Sequence, residues 1–164
     1  GADISLCAPL SFKAEIPEGE IMVSDMFNLY KYENMLYVME LSGKEIKGFL
    51  EMSYAMWTNQ MKSADDHLLL FKQPIGEGKR ANFEYYSFNF DSAAGINYTV
   101  DVTKPRGEKI NILSMADGTP FDMDKMYAVA LNSYRGNGGG ELLTKGAGIP
   151  QDKLKERILS LIHI

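Results

Sequence analysis

The sequence from residue 132 to residue 140 combines residue types that suit the binding of a flat, uncharged part of a ligand. It reads N-S-Y-R-G-N-G-G-G and follows the apolar run 127–131. Glycines lack a Cβ, so they let the main chain approach a ligand closely and leave N–H groups free to donate. The ring of Tyr134 offers a face on which a nucleobase can stack. The alternative interpretation is a flexible turn with a surface tyrosine.

The same segment lacks the pattern of an ATPase phosphate loop. No Gly-Lys-Ser/Thr follows the glycines, and Glu141 would repel a nearby phosphate. We therefore expect this loop to contact the uncharged part of its ligand.

A second group of candidate binding residues lies in the aromatic stretch 83–90. Five of its eight residues are aromatic: Phe83, Tyr85, Tyr86, Phe88 and Phe90. One face of one strand does not easily bury five rings, so we expect some of them to project towards a cleft. The alternative is that all five fill the core.

The sequence shows no recognisable reaction centre. His67 and His163 are the only histidines, and neither stands in a metal-binding motif such as His-Glu-x-x-His. The paired aspartates have the spacing of turn and capping residues, and no serine occupies a Gly-x-Ser-x-Gly setting. We therefore expect a domain that binds rather than reacts, with no catalytic residue and no metal site of its own.

Composition narrows the class of partner. The 164 residues and 45% apolar content fit one domain over residues 1–164. A net charge of −5 without a basic run argues against a nucleic-acid polymer as partner, because such domains present a basic face to phosphates. No apolar run is long enough to span a membrane, and the single cysteine excludes an internal disulfide.

Alternating or continuous apolar residues predict five strands, at residues 2–8, 35–41, 97–102, 109–115 and 127–131. Helical spacing predicts a helix that ends near Trp57 and begins with a capping box formed by Ser42 and Glu45. Ser24 is expected to cap a short helix. A last helix is predicted over residues 152–162. The result is an α+β fold in which strands outnumber helices.

Several stretches in order resemble the C-terminal domain of the 5′-nucleotidase family. They include A-E-I-P-E-G-E-I, E-N-M-L-Y-V-M-E-L-S-G-K-E-I-K, F-N-F-D-S-A-A-G-I-N-Y-T-V-D-V, D-G-T-P-F-D and A-L-N-S-Y-R-G-N-G-G-G, which together extend over essentially the whole chain. The N-F-D and N-S-Y-R-G-N-G-G-G motifs are most similar to the branch of 2′,3′-cyclic-nucleotide 2′-phosphodiesterase/3′-nucleotidases.

This resemblance implies a fold of mixed sheets flanked by helices and a division of labour within a larger enzyme. Family members are extracytoplasmic, often periplasmic, hydrolases of nucleotide catabolism. Their N-terminal metallophosphatase domain, absent from this chain, holds two divalent metal ions, and the C-terminal domain supplies the nucleoside pocket. The fragment alone is then expected to be inactive, with a small-molecule nucleotide or nucleoside and the metallophosphatase domain as its partners.

The resemblance also implies the binding residues. The base would lie between two rings, of which Tyr134 matches one and Phe88 matches the other. Phe90 is the rival of Phe88 because the match around N-F-D can slip by two residues, and residues two apart on a strand share a face, so either ring could reach the base. The full set of expected substrate-binding residues is Lys13, Phe88, Asn89, Phe90, Asn132, Tyr134, Arg135, Gly136, Asn137, Gly138, Gly139 and Gly140.

One departure from the family pattern affects phosphate binding. Many 5′-nucleotidases carry Asn-Gly-Gly-Gly-Ile-Arg where this chain reads A-P-L-S-F-K over residues 8–13. Lys13 keeps the positive charge of the arginine but lacks its planar fork. This difference favours the cyclic-phosphodiesterase branch over strict 5′-nucleotidases.

Two other functions remain open from the residues alone. An aromatic cleft also suits a carbohydrate, so the chain is alternatively a stand-alone carbohydrate- or ligand-binding module. A structural domain without a ligand is the third possibility.

Overall fold

The computed structural model describes residues 1–10, 13–73 and 82–163. Within these ranges the chain forms seven strands and three α-helices. The strands are β1 (Ile4–Cys7), β2 (Met35–Ser42), β3 (Ser92–Ala94), β4 (Ile96–Val100), β5 (Ile110–Met115), β6 (Met126–Asn132) and β7 (Ile158–His163). The helices are α1 (Val23–Leu29), α2 (Gly43–Trp57) and α3 (Ser133–Gly136).

Five of these strands form one mixed sheet with the order β3-β1-β6-β2-β7. Strands β1 and β6 run parallel, and every other pair in this sheet is antiparallel. Strands β4 and β5 form a separate antiparallel pair. The expected α+β fold with mixed sheets flanked by helices is confirmed.

Strand β6 is the central strand of the sheet, and alternate residues along it enter the core. Tyr127, Val129 and Leu131 are buried, as the two-residue period of a half-buried strand requires. The apolar face of α2 contributes Ile46, Phe49 and Leu50 to the same core.

The predicted capping box opens α2. Ser42 Oγ accepts from the Glu45 amide at 3.2 Å, and the Glu45 carboxylate accepts from the Ser42 amide at 2.7 Å. Because Ser42 is also the last residue of β2, the strand passes into the helix without a loop. This sequence prediction is confirmed.

The antiparallel register of β2 and β6 defines the edge where the candidate site lies. Leu36, near the start of β2, pairs with Asn132, the last residue of β6. Helix α3 leaves β6 at this point. The segment after α1 and the predicted glycine loop therefore lie at the same end of the sheet.

The predicted helix over residues 152–162 is wrong. Residues Gln151–Arg157 form a 3₁₀-helix, and Ile158–His163 form β7, which pairs antiparallel with β2. Apolar residues spaced for a helix also permit a short strand, and the hydrogen-bonding edge of β2 decides the outcome. That edge is distant in sequence, so local periodicity does not reveal it.

The short helix α1 exists, but its predicted cap is wrong. The helix begins at Val23 after Met22, so Ser24 lies inside it. Asp25 accepts from the Met22 amide at 2.8 Å and so satisfies one N-terminal N–H group. Among the described residues, no helix is long and apolar enough to cross a membrane.

Candidate functional site

The segment predicted as a loop after β6 begins as one turn of helix. The side-chain oxygen of Asn132 accepts from the Arg135 amide at 2.8 Å and thereby caps α3. A 3₁₀-helix over Gly139–Glu141 follows. Gly138 and Gly140 have φ values of 92° and 71°, a region that glycine enters without a steric cost.

The glycines of this segment make room for side chains of the protein itself. A Cβ on Gly139 would lie 2.6 Å from ring atoms of Tyr134. A Cβ on Gly140 would overlap the Arg135 guanidinium and the Asn89 amide oxygen, and one on Gly136 would overlap the Tyr37 ring. In the described structure, the groups that lie close to the main chain at these glycines are therefore side chains of the protein itself.

Arg135 is buried and donates hydrogen bonds to two different segments. Nη2 donates to the Phe88 carbonyl at 2.8 Å and to Asp91 Oδ2 at 2.6 Å. Nη1 donates to the Gly139 carbonyl at 2.6 Å and to Asn89 Oδ1 at 3.1 Å, while Nε donates to Asp91 Oδ1 at 3.3 Å. Arg135 and Asn89, both expected to bind substrate, thus contact other protein groups.

The Asp91 carboxylate is the counter-charge of Arg135. Both side chains are buried, and their shortest separation is 2.6 Å. Burial raises the pKa of the Asp91 carboxyl above its ordinary value, and the adjacent Arg135 guanidinium opposes that rise. The Asp91 carbonyl also accepts from Ser53 Oγ at 2.7 Å, which fixes this segment to α2.

The ring of Phe88 is accessible, and the ring of Phe90 is not. Residues Ser87–Asn89 form a 3₁₀-helix rather than a strand, so the prediction that the two rings share a face is wrong. Phe88 is 40% exposed and stacks on Tyr86 at 5.2 Å. Phe90 is 3% exposed and stacks on Trp57 at 5.6 Å. Phe88 is therefore the ring of this pair that a ligand can reach.

Tyr134 is the second accessible ring of the site. It is 44% exposed, and the Arg135 guanidinium carbon lies 5.3 Å from the ring centroid. The same guanidinium donates to the carbonyl of Phe88. One buried cation therefore connects the segments that carry the two exposed rings.

The remaining predicted residues have different positions. Asn137 is exposed, and its carbonyl accepts from Gln151 Nε2 at 2.9 Å, while Gly138 packs against the Gln151 side chain. Lys13 is exposed in the loop after β1. Residues 11 and 12, which belong to the stretch 8–13 that differs from the family pattern, lie outside the described residues.

Two residues of the site were missed by sequence reasoning. Asp91 directly follows the aromatic stretch. A carboxylate next to so many apolar rings could have indicated a buried ion pair, because buried charges are normally paired. Ser133 accepts from the Met35 amide at 3.0 Å and donates to Asn34 Oδ1 at 3.0 Å. Nothing in the local sequence indicates that contact.

The site presents two exposed aromatic rings, the kind of surface on which a flat group stacks. Two exposed aromatic faces are held on main-chain segments that a buried ion pair joins. Among the side chains described within residues 1–10, 13–73 and 82–162, no three of histidine, cysteine, aspartate or glutamate are grouped to hold a metal ion.

The family model described as "5′-nucleotidase, C-terminal domain" matches residues 1–145 of the chain. The trifunctional nucleotide phosphoesterase protein YfkN of Bacillus subtilis is 32% identical over 79% of the chain. The 2′,3′-cyclic-nucleotide 2′-phosphodiesterase/3′-nucleotidase of Salmonella typhimurium is 33% identical over 80% of it. The chain spans only 9% and 20%, respectively, of the length of these curated relatives.

Solved structures have the same fold. A Staphylococcus aureus protein assigned as a 5′-nucleotidase superimposes with a TM-score of 0.72 at 24% identity, and the match covers 99% of this chain and 28% of that one. The 5′-nucleotidase precursor from Thermus thermophilus gives a TM-score of 0.60 at 24% identity, covering 98% and 30%.

Proposed function

Because the chain belongs to the family of 5′-nucleotidase C-terminal domains, we propose that it is the nucleoside-recognition domain of a metal-dependent nucleotide phosphohydrolase. The parent enzyme would act outside the cytoplasm, in the periplasm or an equivalent space, in the breakdown of nucleotides. Its reaction would take place on a metallophosphatase domain with two divalent metal ions.

The observation that carries this proposal is the pair of exposed rings, Phe88 and Tyr134, whose segments are joined by Arg135. Base–aromatic stacking contributes about 1–3 kcal/mol per base. Two rings that both contact one base would therefore supply much of the affinity for a nucleoside. Phe88 takes the role for which Phe90 was the rival, because the Phe90 ring is buried.

The proposed mechanism separates binding from bond breaking. Base stacking occurs at a distance from the reacting phosphate, and its binding energy holds that phosphate in a productive position. The two metal ions of the other domain would polarise the phosphoryl group and activate the attacking water. On its own, this chain would bind nucleoside without hydrolysing a nucleotide.

Among possible substrates, we propose 2′,3′-cyclic nucleotides and 3′-nucleotides. The Salmonella relative is named for these activities and is 33% identical to this chain. Lys13 at the family's arginine position would contact a phosphate as a point charge without the bidentate geometry of arginine. Both facts support the cyclic-phosphodiesterase branch, with 5′-nucleotides as the alternative substrates.

A fluorescence titration tests nucleoside binding directly. Trp57 is the only tryptophan, and it stacks on Phe90 behind the candidate site. Adenosine and 3′-AMP should change its emission in a saturable way, whereas a simple sugar should not. Tyr134→Ala should weaken both nucleoside titrations, and Leu113→Ala, which removes an exposed side chain on β5 of the second sheet, should not.

Two results would contradict the proposal. Binding of the sugar in place of adenosine would favour a carbohydrate-binding module. No binding of any of the three ligands, with Tyr134→Ala indistinguishable from the unmodified chain, would favour a structural domain.

A further inference from the structure

The helix α1 turns an apolar stripe towards solvent. Its large apolar residues, with the tyrosine that follows the helix, recur at intervals of three and four residues: Val23, Met26, Phe27 and Tyr30. That spacing places them on one side of a helix. In a soluble domain such a stripe normally faces the core, yet every one of these residues is exposed and no residue of α1 is buried.

The apolar surface extends beyond the helix on both sides. We define the apolar segment as residues 21–32, and it also exposes Ile21, Met22, Leu29 and Tyr32. Soluble proteins rarely expose a contiguous apolar patch this rich, and such patches usually mark an interaction surface. Scattered single apolar residues would need no explanation.

The length of α1 also indicates a missing partner. Isolated helices shorter than about 12–15 residues are marginal in water, and most helical stability in proteins comes from packing of an apolar face. Helix α1 has 7 residues and buries none of them. A surface that covers this stripe would supply the missing packing.

The apolar segment is connected to the candidate site by hydrogen bonds. Asn34 donates to the Tyr30 hydroxyl at 2.5 Å and accepts from Ser133 Oγ at 3.0 Å. Ser133 directly precedes Tyr134, one of the two exposed rings. A partner that covers the apolar segment would therefore lie beside the proposed base site.

We propose that the apolar segment is the docking face for the phosphoesterase domain of the same polypeptide. This inference rests on the proposed function, which places the reaction on a separate domain. It is supported by length, because this chain spans 9% and 20% of the two curated relatives described above and 28% and 30% of the two solved structures. In those proteins a domain of this kind has neighbouring polypeptide to contact.

The charges around the segment specify the chemistry of that partner. Exposed carboxylates stand near both of its ends, at Glu18 and Glu20 before it and at Glu33 after it, and they outnumber the exposed cation Lys31, whose Nζ lies 5.5 Å from the centroid of the Tyr32 ring. The complementary surface is therefore apolar with basic groups at its rim. A symmetric contact with a second copy would bring these carboxylates together, and an anionic membrane would repel them.

Docking at this face would place the reacting centre next to the bound base. A nucleotide spans the distance between base and phosphate with one ribose, so the two sites must meet at a shared boundary. The apolar segment lies at the end of the sheet where β6 continues into α3. Contact there would let one nucleotide occupy both sites at once.

The test uses the complete polypeptide in which this chain is encoded, with Phe27→Asp as the variant and Leu113→Asp as the matched control. Both side chains are large, apolar and exposed, at 63% and 58%, but Leu113 lies on β5 in the second sheet. Phe27→Asp should lower kcat for 3′-AMP about 100-fold, because small misplacements of reacting groups cost that much. It should also increase hydrogen exchange and proteolysis at residues 21–32. Leu113→Asp should change none of these.

Several outcomes would overturn the inference. The first is hydrogen exchange at residues 21–32 that is the same in Phe27→Asp as in the unmodified polypeptide. The second and third are a dimer, or an association with phosphatidylglycerol vesicles, that forms with the unmodified polypeptide and is lost in Phe27→Asp. The fourth is a complete polypeptide that contains no further domain. Exchange protection does not depend on ligand, so it separates this inference from the proposed function. Adenosine that fails to bind a polypeptide with a protected apolar segment would contradict only the proposed function.

Discussion

Arg135 and Asp91 form a buried ion pair with a shortest N–O distance of 2.6 Å, although 44 residues separate them in the sequence. The pair joins α3 to the turn that carries Phe88, and the arginine also holds the glycine segment through the Gly139 carbonyl. The positions of the segments that carry Phe88 and Tyr134 therefore depend on a contact within the protein and not on a bound ligand.

Substitution of Arg135 should strongly destabilise the folded protein. Arg135→Met leaves Asp91 as a buried carboxylate without its cation, which should lower the free energy of unfolding by about 3–5 kcal/mol. Urea denaturation followed by circular dichroism measures the change. The control is Lys44→Met, which breaks the exposed pair between Lys44 and Asp124 and should cost less than about 1 kcal/mol. Equal effects of the two substitutions would contradict the structural role of Arg135.

The two phenylalanines of the aromatic stretch should behave in opposite ways. Phe90→Ala removes a buried ring and should destabilise the fold by about 3–5 kcal/mol. Phe88→Ala should change stability little but weaken adenosine binding, because its ring is accessible. Denaturation and the fluorescence titration measure the two effects. A stable Phe90→Ala variant that has lost adenosine binding would reverse the assignment.

Gly140→Ala should destabilise the protein more than Gly118→Ala. Both glycines have a left-handed backbone, with φ values of 71° and 85°, so each substitution carries a strain of about 1–2 kcal/mol. At Gly118 a Cβ meets open space, whereas at Gly140 it overlaps the Arg135 guanidinium. The midpoint of urea unfolding should therefore fall further for Gly140→Ala. Identical midpoints would show that the segment moves aside without disturbing Arg135.

The cap of α2 gives a local test of helix stability. Ser42→Ala removes the acceptor for the Glu45 amide and should cost about 1 kcal/mol. Ser24→Ala, inside α1, removes no capping bond and should stay within about 0.5 kcal/mol. Thermal unfolding of both variants measures the difference. A larger effect at Ser24 would contradict the observed start of α1.

The parts of the fold that could be predicted from sequence are those that local chemistry determines. The cap and apolar spacing of α2 lie within one stretch, as does the apolar run of β6, and both elements form where they were expected. The terminal segment forms β7 because the edge of β2 binds it, and that edge is more than a hundred residues away.

The candidate site shows the same division. Tyr134 and the aromatic stretch could be identified from residue types, and both expose a ring. The choice between Phe88 and Phe90 could not be made, because it depends on the 3₁₀-turn that Arg135 stabilises through the Phe88 carbonyl. The expectation that Arg135 faces a ligand overlooked Asp91, the buried carboxylate that compensates its charge.

The anchoring of Phe88 through its carbonyl, rather than through its ring, has an evolutionary consequence. Arg135 bonds a main-chain atom of residue 88, so this bond does not depend on which side chain the residue carries. Selection can exchange the side chain at this position to favour a different ligand without removing the bond. At residue 88, ligand selectivity depends on the side chain, whereas the bond that holds the segment in place involves the main-chain carbonyl. Each can therefore change while the other is preserved.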